Sequence, residues 1–171
     1  FREVDCVKVP WVMMASGGRE KDPTNLLCEL TYRWDHDLRH PKAVWGKAQC
    51  KYEQIEVKCI FRPQNVSFIA THHPIVFDEA DFDVVDSIQN EPAAHDLYHP
   101  NLRNVDIENG YLLCYHYRVV STESAARKIE SHTKLRGEGG YAAYSPEVIM
   151  AHDYAEIVDE TLKLKTEKRL S

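Results

Sequence analysis

The loop Ala15-Ser16-Gly17-Gly18-Arg19-Glu20 follows a hydrophobic run and carries two adjacent glycines. Backbone amides at such a turn, with no side chains in the way, can approach the hydroxyls or phosphates of a ligand. The Gly-Lys-Ser ending of a P-loop is missing, and a plain tight turn has the same composition. Glu29 follows a short way on. A carboxylate beside a glycine loop can serve as a general base, although a helical Glu is more often a solvated surface group. Among the histidines, His72 and His73 close one apolar run and His116 lies inside another, whereas His95, His99 and His152 are scattered. Neutral imidazole ligates transition metals, and an imidazole in an apolar strand is as readily a satisfied core group. Asp35-His36-Asp37 and Asp81-Phe82-Asp83 have the D-x-D spacing that can hold a divalent ion with a diphosphate. Both sit in polar stretches, where surface acids are common.

The elements that must position these groups follow from periodicity and capping. Residues 4–14 are rich in Val and predict a strand. Thr24 or Asn25 can cap a helix through NLLCELTYRW, with Leu26, Leu27, Leu30 and Trp34 near one face. IEVKCIF alternates with a period of two, RPQN breaks it, and VSFIATHHP reads as a second strand ending at Pro74. Residues 78–109 are acidic and aperiodic, which predicts a loop insertion. GYLLCYHYRVV reads as a strand buried on both faces, and Ser121 starts a helix through ESAARKIESH that ends at Gly137, Gly139 and Gly140. Ser145-Pro146-Glu147 opens a C-terminal helix over residues 145–165, with Met150, Tyr154, Ile157, Val158 and Leu162 on one stripe. The order predicts an α/β fold with a mixed sheet in a single domain covering residues 1–171.

Composition excludes several classes. The 171 residues are 43% hydrophobic and 28% charged, enough apolar surface for a folded core. A net charge of -6 argues against a nucleic-acid or anionic-lipid partner, each of which asks for a basic face. No apolar run approaches the roughly 20 residues of a membrane span, and no leader pattern is present. The opening FREVDCVKVPW reads as the interior of a domain, so the chain is expected to be part of a longer protein. Five cysteines (Cys6, Cys28, Cys50, Cys59, Cys114) form no C-x-x-C pair. That disfavours a zinc ribbon or thioredoxin motif and leaves buried thiols and disulfides both open.

Taken in order, VPWVMMASGGREKDPTNLLCELTYRW, VKCIFRPQNVSFIATHHP and GYLLCYHYRVVSTESAARKI form a series that resembles the C-terminal half of glycosyltransferase family 92 and its relatives in the GT-A class. The matching positions are Trp11, Gly17, Gly18, Pro23, Glu29 and Arg33, then Lys58, Ile60, Arg62, Pro63, Val66 and His72. His116, Tyr117, Arg118, Ser121 and Lys128 complete the series, which covers about residues 4–130. Two departures stand out. The loop reads Met-Ala-Ser-Gly-Gly where the relatives more often have Gly-Ser-x-Gly after an aromatic residue, and the family's D-x-D lies before the Trp strand, ahead of Phe1.

The resemblance implies a GT-A-type fold, here its C-terminal part, and an inverting, metal-dependent transfer of a hexose such as galactose to a glycan hydroxyl. The donor it implies is a UDP-linked nucleotide-sugar and the cofactor Mn²⁺. Glu29 would be the base and His116 a metal ligand. Ser16, Gly17, Gly18, Trp11, His72, Arg118 and Lys128 would contact donor or acceptor. For Trp11, as for Trp34, a core role competes. The family implies a Golgi lumenal protein held in the membrane by an N-terminal anchor outside these residues. The alternatives are a catalytically inactive carbohydrate- or protein-binding domain on the same scaffold and a metalloenzyme built on His72, His73 and His116.

Overall fold

The computed structural model describes residues 3–40, 55–88, 91–99, 102–137 and 144–170. They fall into two compact units, one from residues 3–12, 36–40 and 55–115, the other from residues 13–35 and 116–170. The fold is mixed α and β with mainly antiparallel pairing.

The first unit is built on the start of β1 (Cys6–Ala15), whose ten residues are all buried. A strand covered on both faces needs no polar alternation, which is why its Val-rich stretch is so legible. On one side β1 pairs antiparallel with β3 (Ile55–Phe61), with Cys6 opposite Phe61 and Pro10 opposite Val57. On the other it pairs parallel with β6 (Val84–Asp86). β7 (Tyr98–His99) adds to the far edge of β3. The segment expected as loop insertion over residues 78–109 therefore supplies two strands and the helix α2 (Asn104–Asn109). Elements of two, three and six residues are too short to show a period, so the sequence pattern missed them. The strand expected through VSFIATHHP stops early and folds back as a hairpin of β4 (Val66–Ile69) and β5 (Pro74–Val76).

Lys8 sits in the middle of β1 and is only 2% exposed. Its ammonium donates to the Ala94 carbonyl at 2.9 Å, to Asp96 Oδ1 at 2.7 Å and to the Tyr98 carbonyl. All three of its donors are used, which is the condition for burying an ammonium.

In the second unit the end of β1 pairs with β2 (Tyr32–Arg33), Met14 facing Arg33 and Ala15 facing Tyr32. β2 in turn pairs with β9 (Ile157–Val158). These pairings override two helix expectations. The helix through NLLCELTYRW is a single turn, α1 (Leu26–Glu29), capped by Asn25, whose Oδ1 accepts the Cys28 amide at 3.3 Å. Tyr32 and Arg33 leave it because they have strand partners on both sides. The helix expected over residues 145–165 is α4 (Pro146–Met150), then β9, then α5 (Thr161–Leu170). Tyr154 packs edge-on against Trp34 at 4.7 Å, and Asp159 accepts the Thr161 amide at 3.0 Å to start α5. Arg33 is buried and anchors this corner, its Nε donating to Asp159 Oδ2 at 3.1 Å.

Capping signals did locate the other helices. β8 (Cys114–Tyr117) leads into α3 (Thr122–Arg136), where Ser121 and Ser124 form a reciprocal box, each hydroxyl accepting the other's amide. Ser145 caps α4 by accepting the Val148 amide. Val119, Ala125 and Ile149 form the core between α3 and α4. Gly137 follows α3, while Gly139, Gly140 and Cys50 lie outside the described residues. The other four cysteines are free thiols. No described helix is long and apolar enough to cross a membrane.

Candidate functional site

The loop after β1 is the centre of the candidate site. Ser16 is buried and donates both its amide, at 2.9 Å, and its hydroxyl, at 2.5 Å, to Asp153 Oδ2. Its oxygen accepts the Gly18 amide at 3.2 Å. Gly17 and Gly18 have φ of 66° and 78°, the left-handed region that glycine enters without steric cost. A Cβ on Gly17 would also come within 3.1 Å of the Tyr32 ring.

Beyond the glycines the loop is stitched to the start of α3. The carbonyls of Arg19 and Glu20 accept the Thr122 and Glu123 amides at 2.9 and 3.0 Å. Asp22 accepts from the Ser121 hydroxyl and from Arg127, and these bonds hold its carboxyl below the usual range. The first-turn amides of a helix have no partner within it; here the loop's carbonyls provide two.

Glu29 closes the same loop from the other side. Its Oε1 accepts the Asn25 amide at 2.7 Å and its Oε2 accepts Arg19 Nη2 at 2.6 Å. The Asn25 hydrogen bond first, and the Arg19 charge with it, pull its carboxyl below the ordinary value and keep it ionised.

Lys128 on α3 donates to the Arg118 carbonyl at 2.9 Å. Burial first, then the nearby Arg118 charge, lowers the affinity of Lys128 for its proton. His116 lies half-buried in β8.

Trp11 and His72 belong to the first unit. Trp11 is 5% exposed, its ring 5.2 Å from that of His72 and 5.6 Å from the Lys58 ammonium. His72 is tied by Nδ1 to the Val57 carbonyl at 3.1 Å. These contacts are those of core residues, and Trp34 is buried likewise. The two D-x-D segments are also accounted for locally. Asp37 accepts Arg103 Nε at 2.5 Å, and Phe82 is a core residue between Asp81 and Asp83.

Among the described residues no set of three or more His, Cys, Asp and Glu side chains is arranged to hold a metal ion. Of the described residues, His116 is the ligand that the resemblance implies for the manganese.

Sequence reading missed Asp153, Arg19 and Asp22. Asp153 meets Ser16 across 137 positions, a separation that leaves no local pattern. Burial pushes its carboxyl above the ordinary 3.8, against the two Ser16 bonds that lower it. A raised folded value adds stability below the unfolded value, and that contribution is lost as pH rises through the folded one. The ionised form of Asp153 is thus the costly one, a cost that Ser16 partly offsets. Asp153→Asn, which keeps an acceptor and removes the charge, should raise the urea midpoint at pH 7 and flatten its rise between pH 7 and pH 4. Urea titrations at the two pH values check this; an unchanged pH dependence would remove Asp153 from the account.

No protein-family model, no curated protein and no solved structure matches the chain.

Proposed function

We propose that this chain is the acceptor-side part of a GT-A-type glycosyltransferase similar to family 92, transferring a hexose from a nucleotide-sugar to a glycan hydroxyl with inversion. One observation carries the reading. Segments of the motif series near residues 16–29 and 118–128, far apart in sequence, lie in one compact unit, joined by the bonds from Thr122 and Glu123 to the loop and by the Asp22–Arg127 ion pair.

In this reading the exposed main chain at Gly17 and Gly18, with no side chain at Gly18 in the way, lets sugar hydroxyls come close. Glu29, held ionised, takes the proton of the acceptor hydroxyl. The acceptor oxygen bonds to the anomeric carbon as the bond from that carbon to the diphosphate oxygen breaks on the opposite face. Arg118 and Lys128 meet the negative charge that the leaving diphosphate gains. Metal held with His116 and an upstream D-x-D would supply further neutralisation. A Golgi lumenal location behind an N-terminal membrane anchor belongs to the same proposal.

The test is transfer by the full protein from a panel of UDP-hexoses to glycan acceptors. Lys128→Ala and Arg118→Ala should each raise the donor KM about tenfold or more, as expected for a lost charge-assisted contact, with the acceptor KM little changed. Donor KM values equal to wild type would overturn the diphosphate assignment. Glycan binding without transfer from any donor would favour the inactive binding domain instead.

A further inference from the structure

Cys6 on β1 and Cys59 on β3 face one another across the first unit's sheet. The register places Cys6 opposite Phe61 and Lys8 opposite Cys59, so the two cysteines stand diagonally on one face of an antiparallel pair. Cys6 is buried and Cys59 half-buried, and Cys59 packs against the core cluster that contains Cys6. Both line a cavity of about 10 Å³ with Lys8, His73, Phe82 and Asp96. That volume holds about one water. It has no room for a ligand between the two sulfurs, and the half-buried Cys59 is the one that a small molecule reaches from solvent. Cys114 packs with Val7 and Val9, one residue out of phase with Cys6 on β1 and so on its opposite face. Cys28 belongs to the other unit.

We propose that Cys6 and Cys59 are a redox modification site, closing to a reversible cross-strand disulfide by exchange with a small-molecule disulfide of the glutathione type. The proposal is independent of the sugar-transfer reading. Cys59 is the attacking group. It is the less buried of the two thiols, and its neighbour Cys6 first, then the charges of Lys8 and Lys58, pull its thiol below the ordinary 9.0 although burial opposes. Cys6, beside Cys59 and almost fully buried, is pushed up. The Cys59 thiolate attacks one sulfur of the oxidant; the S–S bond of the oxidant breaks and one small thiolate leaves. Cys6 then gives its proton to solvent and attacks the Cys59 sulfur, forming the protein disulfide and releasing the second small thiolate. Two protein thiols lose two electrons and two protons, and one small disulfide becomes two thiols.

A diagonal pair in a sheet has Cα atoms about 7–8 Å apart, beyond the usual disulfide range of about 4.4–6.8 Å. The staple therefore draws β1 and β3 together at this corner, which makes it easier to reduce than a relaxed bridge.

Treating the full native protein with oxidised glutathione, alkylating free thiols and mapping peptides by mass should give a Cys6–Cys59 link that dithiothreitol reverses. The thermal midpoint should rise by about 5–10 °C on oxidation. Cys59→Ser should lose both the link and the shift, and Cys6→Ser should retain glutathione on Cys59. The wild-type map decides the question even where a variant fails to fold. Both cysteines fully alkylated after oxidation, or a link that instead uses Cys28, Cys50 or Cys114, would overturn the proposal.

Discussion

Glu29→Gln is expected to lower hexosyl transfer by the full protein about 10²–10⁴-fold, the span of general-base catalysis, while nucleotide-sugar affinity stays close to wild type. The substitution is close to a pure test of the base. Gln retains an oxygen for the Asn25 amide, so the cap of the loop onto α1 is preserved. What it removes is the proton acceptor, together with the charge that pairs with Arg19. Two controls separate these losses. Arg19→Gln removes the ion pair and leaves the carboxylate, so it should cost far less turnover than Glu29→Gln. In that variant the carboxyl should also regain protons more easily, shifting the acid limb of the rate profile upward. Full turnover in Glu29→Gln would end the base assignment, and a collapse of donor affinity would move Glu29 from chemistry to binding.

Lys8→Met is expected to cost the first unit about 2–3 kcal/mol, or about 5–10 °C in midpoint. Met fills nearly the same volume, so the loss comes from the three hydrogen bonds to Ala94, Asp96 and Tyr98. Those partners lie on partly exposed chain where water can replace the ammonium, which keeps the cost at the lower end for a broken buried ion pair. The pH dependence gives a second check. Burial works against the ionised Asp96, but the Lys8 hydrogen bond, the Tyr98 amide and the Lys8 charge together hold its carboxyl below the ordinary 3.8. A lowered folded value gives stability present above the unfolded value and lost as pH falls through the folded one. That loss near and below pH 4 should be smaller in Lys8→Met. Equal urea midpoints for the two proteins at pH 7 would show that the Lys8 staple contributes nothing.

Where one element carried its own signal, the sequence was sufficient. β1 and β3 follow from Val content and period, and α3 and α4 from the caps at Ser121 and Ser145. Where a distant partner decided, it was not. Tyr32-Arg33 and Ile157-Val158 each fell inside an expected helix, and each becomes a strand because the other is there to pair with. The same holds for the candidate site. Glycines at 17 and 18 and the acid at 29 could be picked out by type and spacing. Glu29 is held by its near neighbours Asn25 and Arg19, but the ties that fix the glycine loop come from Asp153, Thr122 and Glu123, whose relation to it exists only in three dimensions. Trp11 and His72 were chosen for what aromatic and imidazole groups can do; in the fold the two rings pack together, with Lys58 over the buried Trp11.

The second unit is assembled from two stretches of chain, residues 13–35 and 116–170, with the greater part of the other unit threaded between them. On a ribosome adding about 5–20 residues per second, the first stretch emerges several seconds before its partner. In that interval the first unit can already close, while Trp34 still lacks Tyr154 and Arg33 still lacks Asp159. The order of synthesis thus leaves an apolar edge waiting for a chaperone, and codons that slow translation before residue 116 would lengthen that wait.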